Sequence, residues 1–81
     1  MSKASRHMGR VAGLSCAACD NSPVEVHHIR TERIKDPFLT IPLCLECHRG
    51  SFSIHMSKEQ FTNVYGSELH LLAATLMRLE S

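Results

Sequence analysis

Large aromatic side chains are nearly missing from this 81-residue chain, which has no Trp, one Tyr and three Phe. Such residues usually anchor a small core, and a chain of this length seldom gains comfortable stability from one apolar core alone. The length is expected to hold one small domain or a fragment, with no room for a second domain, and some other staple is required. Long hydrophobic runs are also missing. No apolar stretch reaches the roughly 18 residues that would suggest a membrane span, and no hydrophobic signal segment opens the chain. The expectation is therefore a cytoplasmic protein without a membrane partner, in a compartment that keeps thiols reduced. Nor is there an excess of one charge: nine Lys and Arg face eight Asp and Glu, for a net charge of +1, which excludes a broad basic field. What is present, 43% hydrophobic and 21% charged residues, is ordinary for a folded globular chain and far from the composition of a disordered one.

The four cysteines provide the missing staple. They fall as two CxxC pairs, Cys16 with Cys19 and Cys44 with Cys47, separated by a spacer of the length that tetrathiolate zinc sites use. Each pair offers two thiolates from one tight knuckle, and two knuckles complete a tetrahedron around Zn²⁺. Structural zinc is the favoured reading; disulfides across the knuckles, a redox pair or an iron centre are the alternatives. Zinc also changes the charge balance, because four thiolates and one Zn²⁺ lower the net charge by about two and a further divalent ion restores it. Positive charge is local. Lys3, Arg6 and Arg10 stand without an acid among them, and Arg30, Arg33 and Lys35 follow a histidine pair. Such clusters suit either phosphate contacts or a solvated tail and loop.

Residues 1 to 13 show no clear periodicity and read as a flexible basic lead-in. After the first knuckle, Asp20 to Pro23 is a dense turn signal. Val24 to Ile29 reads as a short strand and Phe38 to Leu43, with Pro42, as an edge or hairpin partner that delivers the chain into the second knuckle. A short helix is expected around Cys44 to Arg49, ended by Gly50. Residues 14 to 56 thus form the zinc module, and residues 57 to 81 a C-terminal helical segment. In that segment Ser57 and Gln60 fit a capping box, Gly66 a stop, and Ser67 the cap of a final helix. Leu69, Leu72, Leu76 and Leu79 form an apolar stripe. The stripe either packs on the zinc module or forms a homodimer seam.

Six histidines occur in the chain, and their placement is informative. His27 and His28 close the first strand, His48 follows the last cysteine directly, and His55 lies shortly beyond. If the knuckles share one zinc, His27, His28 and His48 converge, and imidazoles are common ligands of borderline divalent metals. CAAC at 16 to 19, VEVHHIR at 24 to 30 and IPLCLECHRG at 41 to 50 together resemble the HNH endonucleases of the ββα-metal superfamily, of the kind built around a treble-clef zinc site. The match covers about residues 14 to 55, and the tail looks similar to phage-associated members near the Ref recombination nucleases.

This resemblance implies an α+β fold, a small zinc-stapled ββα-metal module with C-terminal helices. It implies a metal-dependent DNA endonuclease, at work in a bacterial or phage-infected cell. Carried over residue by residue, it makes His27 and His48 ligands of a catalytic divalent ion, whether Mg²⁺, Mn²⁺, Ni²⁺ or Zn²⁺. His28 becomes the general base that takes a proton from the attacking water. An ordinary histidine titrates near about 6.5, so neutral imidazole is available for that role. Arg30 and Arg49 would contact phosphate, with Arg33 and Lys35 as a weaker backbone clamp.

Two positions depart from the family pattern. Where many members carry an Asn that fixes the loop behind the general base, this chain has Leu39, so Thr40, Asp36 or simple packing must pin the loop. A helix histidine found in some members is replaced by Phe52, leaving His55 as the candidate third ligand. Adjacent strand residues also point to opposite faces, so His27 and His28 share one site only where the strand is bent or ending. Glu25 reads either as an acceptor for a histidine or as a solvated strand residue. His7 and His70 carry no expected role. Nothing resembles a base-reading helix, so cleavage would have low sequence specificity or be aimed by a partner protein. A noncatalytic treble-clef module that binds DNA or a protein is the competing reading; an iron-loaded electron carrier would leave the histidines unexplained.

Overall fold

In a computed structural model, residues 2–31 and 34–80 are described, the side chains of 34 and 35 excepted. The element order is α1 (Lys3–Ala12), β1 (Val24–Thr31), β2 (Ile34–Cys44), α2 (Leu45–Arg49), α3 (Lys58–Tyr65) and α4 (Glu68–Glu80). The described residues thus form four helices and one two-stranded antiparallel sheet, against which α1, α2 and α4 pack. None of them is long and apolar enough to cross a membrane.

The β-rich segment after the turn forms a longer hairpin than the sequence suggests. Val24 pairs with Cys44 and His28 with Thr40; beyond a register shift, Arg30 pairs with Lys35 and Thr31 with Ile34. Arg30 and Thr31, beyond the end expected at Ile29, therefore continue the strand. Across the shift, residues 36 to 39 of β2 stand against the single residue Ile29 of β1. Bulges of this kind bend a strand and re-aim its side chains. Turn bonds hold this one in shape: Asp36 Oδ1 accepts from the Phe38 N–H at 2.9 Å, and the Thr40 hydroxyl donates to the Pro37 carbonyl at 3.1 Å.

The first helix is a correction. Residues 1 to 13 were expected to be a flexible lead-in, but Ser2 caps α1 by accepting from the Ser5 N–H at 3.1 Å. Val11 is fully buried, and α1 packs on both strands and on α4. Its apolar signal is only Ala4, Met8, Val11 and Ala12, with Gly9 among them, a residue that costs about 1 kcal/mol in a helix interior. A ten-residue helix is marginal in isolation and gains its stability from packing, which a sequence pattern does not display. Arg10 adds a hydrogen bond to the Leu79 carbonyl at 2.6 Å.

The core gathers Ile29, Ile41, Leu43, Ile54, Phe61, Leu71 and Leu72 around Cys16, Cys44 and Cys47. Phe61, fully buried, stacks on Tyr65 with ring centroids 4.9 Å apart. The cysteine knuckles are thus part of the core rather than an appendage to it. Gly50 ends α2 and Gly66, at φ 100°, ends α3 as the sequence predicts. The capping box at Ser57 does not form; its hydroxyl donates to the Ser51 carbonyl instead. Ser67 does cap α4, accepting from the His70 N–H at 3.1 Å. The buried face of α4 is Leu71, Leu72 and Thr75; of the predicted leucine stripe Leu72 turns inward, while Leu69 and Leu76 are exposed. Apolar residues occur all round this helix, so spacing alone leaves its inward face undetermined. Thr75 is accommodated because its hydroxyl donates to the Leu71 carbonyl at 2.8 Å.

Candidate metal centres and catalytic site

The two knuckles meet as their spacing requires. Cys16–Cys19 is a tight turn in which the Asp20 N–H bonds the Cys16 carbonyl at 2.9 Å and the Cys16 N–H bonds the Asn21 carbonyl at 2.8 Å. The Ala17 N–H donates to the Pro42 carbonyl at 2.8 Å, fixing this knuckle to β2 as that strand enters the second one. Asp20 takes a positive φ of 68°, a conformation that Asp tolerates better than most residues. All four cysteines are free, and their sulfurs lie within 4.8 Å of one another. Cys19 Sγ is 3.4 Å from Cys44 Sγ and 3.6 Å from Cys47 Sγ. Zinc–sulfur bonds of ~2.3 Å give a tetrahedron with edges of about 3.8 Å, so the four thiols are placed to hold one zinc ion. Burial pushes the Cys47 thiol far up, and its sulfur neighbours push it further. At Cys16 burial acts in the same direction but is outweighed by backbone N–H groups at Cys19, Cys44 and Ala18, which bring the thiol down to about 7. A divalent cation is the natural counter-charge for such a crowded set.

The second cluster is histidine. β1 carries His27, α2 carries His48, and the turn after α2 carries His55. One ring nitrogen from each lies within 4.8 Å of the others. Ring centroids are 5.1 Å apart for His27 and His48, 5.1 Å for His27 and His55, and 4.8 Å for His48 and His55. The convergence expected for His27 and His48 is present, and His55 joins it as the third member. Two adjoining clefts open here. One, of about 520 Å³, is lined by Val26, His27, His28, Arg30, His48 and His55. The other, of about 280 Å³, shares His27, His28, Arg30 and His55 and extends to Ile54, Lys58 and Glu68. His27 and His28 therefore border the same space although they are adjacent on a strand, and the bulge beginning at His28 accompanies this exception to alternation.

Carboxylates hold two of the three rings. Glu25 Oε1 lies 2.8 Å from His48 Nδ1. Its carboxylate also takes a two-pronged contact from Arg49, at 3.1 Å to Nε and 2.6 Å to Nη2. Glu25 is thus a histidine acceptor rather than a solvated strand residue, and Arg49, expected on phosphate, is engaged by Glu25. The His48 bond, with the Arg49 charge beside it, holds the Glu25 carboxyl below its usual range. On the other side, Glu68 Oε2 lies 2.7 Å from His27 Nε2 and Glu68 Oε1 lies 3.1 Å from Lys58 Nζ. Burial raises the Glu68 carboxyl, but its bonds to His27 and Lys58 more than offset this, leaving it lowered. Burial lowers His27 despite Glu68, and burial followed by the nearby His48 lowers His55. Both rings are therefore held toward the neutral form, which metal ligation requires.

Of the remaining expected residues, Arg30 borders both clefts. Arg33 lies outside the described residues, and so does the side chain of Lys35. Leu39 packs against the core while Thr40 and Asp36 make the turn bonds that pin the loop. His7 stacks on Phe38 with centroids 5.0 Å apart, and His70 is exposed. Lys58 and Glu68 were not foreseen. The capping pattern places both near helix starts, but nothing in the sequence relates those starts to His27. No protein-family model matches the chain, and a comparison with characterised proteins finds no match either.

Proposed function

We propose that the protein is a metal-dependent DNA endonuclease of HNH type, built on a treble-clef zinc module, that hydrolyses phosphodiester bonds with low sequence specificity. The observation that carries this reading is the convergence of His27, His48 and His55, with His28 beside them in one cleft. The hairpin and α2, which supply His27, His28 and His48, also supply two of the four candidate zinc thiols, Cys44 and Cys47, so the same elements would serve both centres. His27, His48 and His55 would hold a catalytic divalent ion. When bound, that ion supplies positive charge for the phosphate and for the leaving 3′ oxygen.

The rest of the chemistry belongs to side chains. His28 takes a proton from water in the cleft as the water oxygen forms its bond to phosphorus. The bond from phosphorus to the 3′ oxygen breaks, leaving a 5′ phosphate, and solvent supplies the proton for the 3′ hydroxyl. Thr40, paired with His28 across the hairpin and bonded to Pro37, stiffens the loop in the role that an Asn has in many HNH proteins. Arg30 borders the clefts and is the arginine best placed for the substrate phosphate. A noncatalytic DNA-binding module is the second reading, and Leu39 favours it, since an apolar side chain in that loop contributes no hydrogen bond.

Plasmid nicking across Mg²⁺, Mn²⁺ and Ni²⁺ separates the two. Catalysis predicts nicking that EDTA abolishes, and a loss of about 10²–10⁴-fold in His28→Ala at unchanged zinc content. Retardation of DNA without cleavage in any metal establishes the binding module instead. Undiminished nicking by His28→Ala removes the general-base assignment.

A further inference from the structure

The C-terminal helix α4 sends one polar side chain toward the histidine cluster, Glu68 in its first turn. The position is determined locally: Ser67 caps the helix, and burial of Leu71 and Leu72 in the core fixes its face. Glu68 Oε2 then meets His27 Nε2 at 2.7 Å, with side-chain exposures of 17% and 6%. An ordinary surface ion pair with Lys58, whose side chain is 68% exposed, would not need a carboxylate turned inward to a buried ring. The parallel with Glu25 is close, since that carboxylate occupies Nδ1 of His48. Each of these two histidines thus has one nitrogen taken by a carboxylate, leaving Nδ1 of His27 and Nε2 of His48 for a cation.

We propose that Glu68 is a positioning residue for the three-histidine centre: it fixes His27 as the Nε2–H tautomer, presents Nδ1 to the ion, and makes the C-terminal helix part of the site. The proposal rests on reading His27, His48 and His55 as a cation site. Ligating histidines are commonly held by a carboxylate on their other nitrogen, and loss of that partner costs about 10–100-fold in metal affinity. Lys58 holds the second oxygen of Glu68 at 3.1 Å, so the carboxylate keeps its orientation while the ring uses the first.

The test uses the zinc-loaded 81-residue chain and Co²⁺ as the probe. Calorimetry measures Co²⁺ affinity, and long-range ¹H–¹⁵N spectra of the imidazoles report the His27 tautomer without added Co²⁺. Glu68→Ala should weaken Co²⁺ by about 10–100-fold and release His27 from the Nε2–H form. Glu68→Gln, whose amide oxygen still accepts from Nε2–H, should restore the tautomer and most of the affinity. His48→Ala should abolish Co²⁺ uptake while leaving the His27 tautomer unchanged. Equal Co²⁺ affinity in wild type and Glu68→Ala overturns the role of Glu68 alone. No Co²⁺ uptake by wild type, even with His27 held as Nε2–H, overturns the cation site itself and the presenting role with it.

Discussion

Zinc held by the four thiols should be what keeps this protein folded, and the margin can be worked from its structure. Three of the four thiols, Cys16, Cys44 and Cys47, belong to the buried core. The sheet that carries the site has only two strands, and an isolated hairpin is marginal in water. Globular domains hold about 0.05–0.15 kcal/mol per residue, so a chain of 81 residues retains roughly 4–12 kcal/mol in all. Structural zinc contributes apparent folding free energies of about 10–16 kcal/mol near neutral pH. The zinc contribution is therefore as large as the expected total, and the metal-free chain has little or no net stability. Crowding four thiols within 4.8 Å offers no compensation once the cation is gone. A strong zinc chelator with a thiol reductant should collapse the far-ultraviolet circular dichroism and the dispersion of amide NMR signals, and one equivalent of Zn²⁺ should restore both. A metal-free, reduced chain that keeps its dispersed spectrum and a cooperative thermal transition would refute the reasoning. It would mean that the core around Phe61 suffices by itself.

Glu25→Ala should loosen His48 and free Arg49, lowering Co²⁺ affinity at the histidine centre by about 10–100-fold with zinc content unchanged; calorimetry and metal analysis check both. Phe61→Ala empties a fully buried site and should cost about 3–5 kcal/mol, read as a large fall in thermal midpoint of the zinc-loaded protein. Acidification should destabilise the fold through His27. Its folded pKa is depressed below 6.5 by burial, so just below pH 6.5 the unfolded chain binds more protons and stability falls as pH drops. The thermal midpoint measured from pH 7.5 to 5.5 should decline, and His27→Gln should flatten that decline; identical slopes would remove His27 as its source.

Legibility differed by element for physical reasons. The CxxC pairs and the His-His segment are short motifs whose chemistry is carried by residue type and spacing, so the thiol cluster and the convergence of His27 with His48 could be read before any coordinates. The β-branched run at Val24 to Ile29 likewise marked a strand. Helix α1 was hidden because Val11 and its neighbours form too narrow an apolar stripe to stand without a sheet to pack on. The face of α4 was ambiguous because leucines surround it, and only contact with Phe61 and the hairpin core determines that Leu71 and Leu72 turn inward.

The sequence by itself determined the two candidate ligand sets: four thiols in two knuckles, and histidines placed so that closing the knuckles draws them together. Chain connectivity enforces this, since His27 and His48 lie within a few residues of the elements that the cysteines tether. Only the tertiary structure decided what lies behind those ligands. Glu25 reaches His48 through strand pairing, and Glu68 reaches His27 from a helix 41 residues away, a separation over which local pattern carries no information. The bulge at residues 36 to 39 is decided at the same level, because a register shift is a relation between two strands and is written in neither alone.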